Sequence, residues 1–229
     1  MNIKMKTRGL LATALLISSV VMAPQASAVI ITTDLSNPTS IPGLTGFQTF
    51  GDMMDGMSVT ATFSGGLTQT LSWADTGFQA GGVSGLLGGS SWSLSVTGDT
   101  YASNAWTMNT GALTLTNLKL DGSTGLTVLD TTFDNLVGTA GSAAGADIST
   151  GTTARYSSAV AIGAAAPVGD IFHVVDVSFL PNGVQGIFTF RQDTDNDSRF
   201  STVPEPTILA LLGVGLLGMT ATRRRKNAA

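Results

Sequence analysis

Three aspartates at alternate positions, Asp193, Asp195 and Asp197, form the clearest potential ligand set in the sequence. The run Asp-Thr-Asp-Asn-Asp is similar to the start of a calcium loop, because Ca²⁺ prefers several oxygen ligands. The sixth loop position is Ser198 instead of glycine, and the twelfth is Pro204 instead of glutamate. Repelling carboxylates also suit an extended, solvated acidic linker over residues 193–202. The sequence favours the linker and keeps calcium at the three aspartates as the alternative; no other cofactor is indicated.

His173 is the only histidine and the only obvious general base. It lies in a predicted strand, in phase with Ile171, Val175 and Val177, which favours a core or interface position. A Ser-His-Asp triad stays open as an alternative because serines and aspartates are abundant. However, no GxSxG motif nominates a nucleophile, and there is no cysteine. We therefore expect a protein that is not an enzyme, with a secreted hydrolase that uses His173 as the less favoured alternative.

The N-terminal residues 1–28 have the layout of a secretory signal peptide. Three basic residues lie within the first eight positions, an apolar stretch covers residues 10–22, and Ala26-Ser27-Ala28 provides small residues for cleavage. The apolar stretch is shorter than the roughly 20 residues of a membrane-spanning helix. The sequence thus predicts export through the Sec translocon and cleavage by signal peptidase after Ala28, which leaves Val29 as the mature N-terminus.

The opposite end of the chain carries an apolar segment over residues 207–222, followed by the basic residues Arg223, Arg224, Arg225 and Lys226. A helix that is apolar on every side is either deeply buried or in lipid. The basic cluster behind it is typical of a cytoplasmic membrane flank. We therefore predict a transmembrane helix with a stop-transfer sequence at Arg223–Arg225 and a body that faces outward.

Directly before this segment stands Val203-Pro204-Glu205-Pro206. The motif, the apolar helix and the basic end together resemble a PEP-CTERM sorting signal (residues 203–229), which is found on exported proteins of many Gram-negative bacteria. The same region is also labelled ice-binding protein C-terminal domain. The resemblance implies recognition of Pro204, Glu205 and Pro206 by an exosortase-type membrane transpeptidase. It further implies transient anchoring by the C-terminal helix and delivery to the cell surface or extracellular matrix.

Charge limits the partners of the body. Between residues 29 and 203, fourteen aspartates face only four cations, which gives a net charge of −10. Nucleic-acid binding is disfavoured because it needs a basic surface. The four cations are Lys119, Arg155, Arg191 and Arg199.

The body, residues 29–192, is predicted to be a single antiparallel β-sandwich, similar to a jelly roll, since short alternating segments are separated by glycine turns. Residues 57–63 and 92–97 alternate clearly, and a phase change predicts a β-bulge near Asn117. Residues 171–180 and 184–191 are expected to pair as a hairpin across Asn182-Gly183. Residues 154–166 are expected to form a short helix.

These features favour structural or adhesive work in a biofilm or exopolysaccharide layer. The alternative from another class is a secreted carbohydrate- or calcium-binding module. Four aromatic residues could line a sugar site, although core packing is the commoner use of such side chains. They are Trp73, Phe78, Trp92 and Trp106.

Overall fold

The computed structural model describes residues 29–45, 48–131, 145–148, 150–167 and 169–199, and these residues fold mainly into β-strands. The predicted signal peptide and the sorting segment with its apolar helix lie outside the described residues. The strands are β1 Ile30–Thr33, β2 Thr39–Ile41, β3 Leu44–Thr45, β4 Ser58–Phe63, β5 Thr68–Ser72, β6 Ala74–Gly77, β7 Ala80–Leu87, β8 Ser90–Thr97, β9 Trp106–Asn109, β10 Leu115–Asp121, β11 Thr127–Asp130, β12 Ala146–Asp147, β13 Thr153–Ile162, β14 Ile171–Ser178, β15 Ile187–Gln192 and β16 Thr194–Asp197.

The strands form two sheets. The larger sheet has the order β3-β16-β11-β14-β10-β4-β5, and β13 pairs with the other edge of β14. The smaller sheet has the order β12-β15-β9-β8-β7-β6. Pairing is antiparallel except where β1 and β2 join β13 in parallel. The fold is therefore mainly β with two sheets, as predicted, although the larger sheet is mixed.

Alternation of side chains explains the strands that the sequence predicts best. In β4, Val59, Ala61 and Phe63 are buried, whereas the intervening residues face the surface. The predicted β-bulge is present, because the register between β10 and β4 shifts between Leu115 and Asn117. The shift lets β10 keep leucines on the inner face on both sides of the irregularity.

A shared aromatic core joins the two sheets. Phe63 of the larger sheet packs on Trp92 of the smaller one with ring centroids 5.8 Å apart. Trp106 stacks on Phe190 at 5.6 Å and contacts Trp73 at 5.3 Å. All three tryptophans are at most 1% exposed, so this core supplies much of the apolar burial that stabilises a domain without disulfides.

The hairpin predicted across Asn182-Gly183 is wrong. β14 lies in the larger sheet and β15 in the smaller one, so the chain crosses between layers there. Both edges of β14 are already occupied, by β13 on one side and by β10 and β11 on the other. β15 instead pairs with β9 and β12, and Phe179 and Phe188 pack against each other with centroids 5.6 Å apart.

The helix predicted over residues 154–166 is also wrong, since Thr153–Ile162 is the long strand β13. Ala154 and Tyr156 are buried while Thr153 and Arg155 are exposed, which is a period-two pattern. Pairing with β14 along most of its length outweighs the helix propensity of the alanines.

Candidate functional site

The three aspartates predicted as calcium ligands lie on or next to β16, which is inserted between β11 and β3. Asp193, Asp195 and Asp197 are each at most 2% exposed. The sequence favoured a solvated linker over 193–202, and the structure differs, because residues 193–197 are a buried part of the larger sheet.

Hydrogen bonds from neighbouring loops explain how so polar a strand is buried. The Thr194 hydroxyl donates to the Thr100 hydroxyl at 3.0 Å. The Asn196 amide accepts from the Thr49 hydroxyl at 3.1 Å and donates to the Met53 carbonyl at 2.8 Å. Burying polar groups costs little when they find such partners.

Asp197 is engaged within its own segment. Its carboxylate accepts from the Arg199 side chain at 2.8 Å and from the Arg199 backbone N–H at 2.9 Å. Burial acts to raise the pKa of Asp197, but the Arg199 hydrogen bonds outweigh it and hold the pKa below its usual value. Asp197 is therefore an ionised, paired carboxylate.

Asp195 has the opposite environment. Burial, followed by the negative charges of Asp193, Asp170 and Asp99, raises the pKa of Asp195 to about 7. Its Oδ2 atom is buried and accepts no hydrogen bond. We call these four residues the acidic cluster. Burial also raises the pKa of Asp99, against the effect of its hydrogen bonds.

The calcium hypothesis requires that Asp193, Asp195 and Asp197 bring their carboxylates together around one ion. Within the described ranges, no group of three or more Asp, Glu, His or Cys side chains has the arrangement to hold a metal ion. The three predicted ligands are also divided, because Asp195 faces the acidic cluster whereas Asp197 bonds to Arg199. Calcium binding at these residues stays a prediction.

His173 lies in the interior of the larger sheet, on β14, and is 4% exposed. Its Nδ1 atom is 3.2 Å from the Thr127 carbonyl oxygen, to which it can donate a hydrogen bond. The core or interface position predicted from its phase in the strand agrees with this burial. This contact fixes the ring to a neighbouring strand.

A polar pocket of about 210 Å³ opens on the outer face of the smaller sheet. Thr189 and Arg191 point from β15 into it, and Asp147 enters from the neighbouring β12. The segment before β9 completes the wall. We call this the polar pocket; its lining residues are Ser103, Asn104, Asp147, Thr189 and Arg191.

Contacts within the polar pocket hold its side chains in place. The Thr189 hydroxyl donates to the Asn104 Oδ1 atom at 3.0 Å. The Arg191 guanidinium lies 3.9 Å from the Asp147 carboxylate and 3.5 Å from the Tyr101 carbonyl. The Arg191 side chain is 20% exposed and that of Asp147 is 58% exposed, so both charges are within reach of a ligand from solvent.

A larger depression of about 460 Å³ lies at the other end of the same sheet. Its surface is mostly apolar, with Leu71, Val83 and Leu94 beside glycine backbone and small hydroxyl side chains. It contains no charged or aromatic side chain, so it offers fewer means of orienting a ligand than the polar pocket does.

The aromatic sugar site considered from the sequence does not form. Trp73, Trp92 and Trp106 are core residues, and each indole N–H donates to a protein oxygen at 2.7–2.8 Å. Only Phe78, at a hairpin tip, is available at the surface, with 87% of it exposed. Core packing, the commoner use of such residues, applies to all three tryptophans.

Sequence reasoning missed the polar pocket. One signal was available: Arg191 is one of four cations in the body and has the same strand phase as Thr189. Asp147 carried no signal, since it belongs to an Ala/Gly-rich stretch that reads as a loop. Asn104 lies in a segment with no alternation, so only the tertiary fold brings it to Thr189.

The remaining predicted sites, at both ends of the chain, are outside the described residues. These are the cleavage residues Ala26 and Ala28, the motif Pro204-Glu205-Pro206 and the basic residues Arg223–Arg225. Within the described ranges, no helix combines the length and apolar character needed to cross a bilayer.

Comparison with protein families shows that the chain ends in a signal of the kind carried by exported, sorted proteins. Residues 202–226 match the family model of the PEP-CTERM protein-sorting motif. The match covers the Pro-Glu-Pro motif, the apolar segment and the basic cluster, and so confirms the resemblance noted from the sequence. No curated protein and no solved structure matches the chain.

Proposed function

We propose that this protein is exported with the help of its N-terminal signal peptide and sorted by an exosortase-type system. Its β-sheet body then serves a structural or adhesive role at the cell surface or in an extracellular polymer layer. The match of residues 202–226 to the PEP-CTERM sorting motif carries the proposal, since that motif indicates export and processing by such a system.

The position of the body relative to both ends supports this proposal. Val29 packs against the hydrophobic core, so cleavage after Ala28 leaves the described fold whole. At the other end, the Ser198 N–H bonds to the Gly43 carbonyl and Arg199 bonds to Asp197. Five residue steps separate Arg199 from Pro204, at most about 18 Å of extended chain. The folded body therefore lies close to the motif while the tail is membrane-anchored.

The chemistry of the body favours binding or structural work over catalysis. The surface is acidic and poor in lysine, which suits a hydrated extracellular matrix. His173 is buried and bonded to a backbone carbonyl, which does not favour the hydrolase alternative. The polar pocket favours a carbohydrate-binding module as the way in which the body engages such a layer.

Replacing Pro204, Glu205 and Pro206 together by alanine tests the sorting step. Proline fixes φ and keeps the preceding residue extended, which suits recognition by a peptidase. We expect the variant to accumulate uncut in the membrane fraction, measured by cell fractionation and immunoblotting. The control is Pro42→Ala, an exposed proline of the body, which should reach the surface as the unmodified chain does. Equal surface delivery of both variants would contradict the proposal.

Deleting the gene tests the role of the body. We expect weaker biofilm and less retained exopolysaccharide, restored by the unmodified chain and not by the triple-alanine variant. An unchanged biofilm together with no binding of the protein to the cell's own exopolysaccharide would remove the matrix role.

A further inference from the structure

We propose that the polar pocket binds a neutral saccharide ring, with Asp147 and Arg191 as its charged hydrogen-bonding groups. The inference deepens the proposed surface role and rests on it for the source of the ligand. The pocket is distinct from the acidic cluster and from the sorting motif.

The lining of the polar pocket suits hydroxyl groups. All five lining side chains are polar. Asp147 supplies only acceptors, Arg191 supplies only donors, and Ser103 and Thr189 can do both. A saccharide hydroxyl both donates and accepts, so adjacent hydroxyls on a ring can meet this mixture of partners. A ligand with acceptors alone could not donate a hydrogen bond to the Asp147 carboxylate.

The charges in the pocket favour a neutral ring. The Arg191 and Asp147 charges lie 3.9 Å apart and largely compensate each other, yet that distance is too long for a hydrogen bond. Asp147 therefore keeps acceptor capacity for a ligand. The body as a whole carries fourteen aspartates and four cations, so it repels an anionic polymer at a distance.

Size and surroundings limit the occupant further. A volume of about 210 Å³ is below the roughly 300–1,000 Å³ of sites for drug-sized ligands, which leaves room for about one sugar unit. Tyr101 lies beside the pocket through its carbonyl contact with Arg191 and is 41% exposed.

The pocket is also pre-organised. Asn104 adopts a positive φ of 59°, which costs energy for a residue other than glycine, although asparagine tolerates it better than most. That conformation directs the Asn104 amide to accept from Thr189, and its N–H donors stay available for a ligand. The pairing of β12 with β15 places Asp147 directly opposite Arg191, so the strand register fixes the relative position of the charged pair.

Isothermal titration of the full-length chain, purified in detergent, tests the proposal. The probes are cellotetraose, maltotetraose and mannotetraose, with an alginate tetrasaccharide as the anionic comparison. We expect at least one neutral probe to bind, and at least tenfold weaker binding in both Arg191→Gln and Asp147→Asn. The matched control is Arg155→Gln, which removes the exposed Arg155–Asp34 pair on the larger sheet, 2.9 Å apart, and should stay within twofold.

Circular dichroism melts show whether each variant is folded. If Arg191→Gln unfolds early, Thr189→Val replaces it, and we expect a weakening of about threefold or more. Binding of none of the neutral probes, preference for the alginate probe, or equal binding by the pocket variants and the unmodified chain would each overturn the proposal. Because the titration uses purified protein, its failure leaves sorting untouched, and failed sorting leaves the pocket result untouched.

Discussion

Two neighbouring parts of the interior differ in how well their buried polar groups are paired. Around Trp106 the buried groups are apolar or paired, as the indole N–H donates to the Gln192 carbonyl at 2.8 Å. Around Asp195, the carboxylates of Asp193, Asp170 and Asp99 add further negative charge. The buried Oδ2 atoms of Asp195 and Asp99 have no hydrogen-bond partner. The first region stabilises the fold, whereas the second costs stability whenever Asp195 is ionised. Burial alone therefore does not tell what a residue contributes.

Gln192 marks the border between the two regions. It is fully buried, and its side chain accepts from the Tyr156 hydroxyl at 2.6 Å and donates to the Asp130 and Asp193 carbonyls at 2.7 and 2.9 Å. Its backbone carbonyl receives the Trp106 indole. One side chain thus satisfies the polar groups between the aromatic core and the acidic cluster.

Removing the aromatic centre should have the largest effect. Trp106→Ala leaves a cavity beside Phe190 and Trp73, and we expect a loss of about 3–5 kcal/mol in the free energy of unfolding, measured by urea denaturation. The control is Phe78→Ala, which removes an 87% exposed ring and should change stability by less than about 0.5 kcal/mol. Equal losses in the two variants would show that the aromatic region does not stabilise the fold as described.

Removing the border residue should have a smaller effect. Gln192→Leu leaves the Tyr156 hydroxyl buried without its acceptor, and we expect a loss of about 2–3 kcal/mol by the same measurement. Gln185→Leu, which loses one exposed hydrogen bond to the Ala112 carbonyl, is the matched control and should be nearly neutral. If Gln192→Leu leaves the free energy of unfolding unchanged, the hydrogen bonds of Gln192 between the two regions do not stabilise the fold.

Neutralising the acidic cluster should increase stability by a smaller amount. The folded pKa of Asp195 is about 7, above the ordinary 3.8, so the folded state holds a proton that the unfolded chain loses. The contribution of Asp195 to stability therefore falls as pH rises from about 4 to 7 and is level above that range. We expect Asp195→Asn to gain on the order of 1–2 kcal/mol at pH 8 and nothing near pH 4, and to flatten the pH profile.

The control is Asp55→Asn at an exposed position, which should change stability at pH 8 by less than about 0.5 kcal/mol. If Asp195→Asn instead lowers stability at pH 8, and 1 mM calcium stabilises the unmodified chain but not this variant, the result would indicate that a cation neutralises the cluster.

The sequence predicts which side chains of a strand face the core better than it predicts which strands pair with each other. Alternation correctly gives the inner residues of β4 and the irregularity near Asn117, since both depend on local phase. It cannot tell that β15 joins β9 instead of β14, because strand pairing depends on which edges remain open after the sheet assembles. The same limit hides the pocket, whose Arg191 and Asn104 are far apart in sequence.

The acidic strand shows a second limit. Alternating aspartates read as a solvated segment, because the cost of burying charge is high. β16 is nevertheless buried, since Thr49, Thr100 and Met53 supply partners from distant loops and Arg199 pairs with Asp197. The sorting motif differs from the acidic strand in this respect. Its Pro-Glu-Pro motif, apolar segment and basic cluster follow one another along the chain, so they can be recognised from the sequence without knowledge of the fold.

Intact mass spectrometry of the protein recovered from the cell surface tests the central claim most directly. We predict a chain that begins at Val29 and ends near Pro204–Pro206, so that both the signal peptide and the apolar, basic tail are absent. Recovery of an uncut chain of residues 1–229 from the cytosol, with none at the surface, would contradict it.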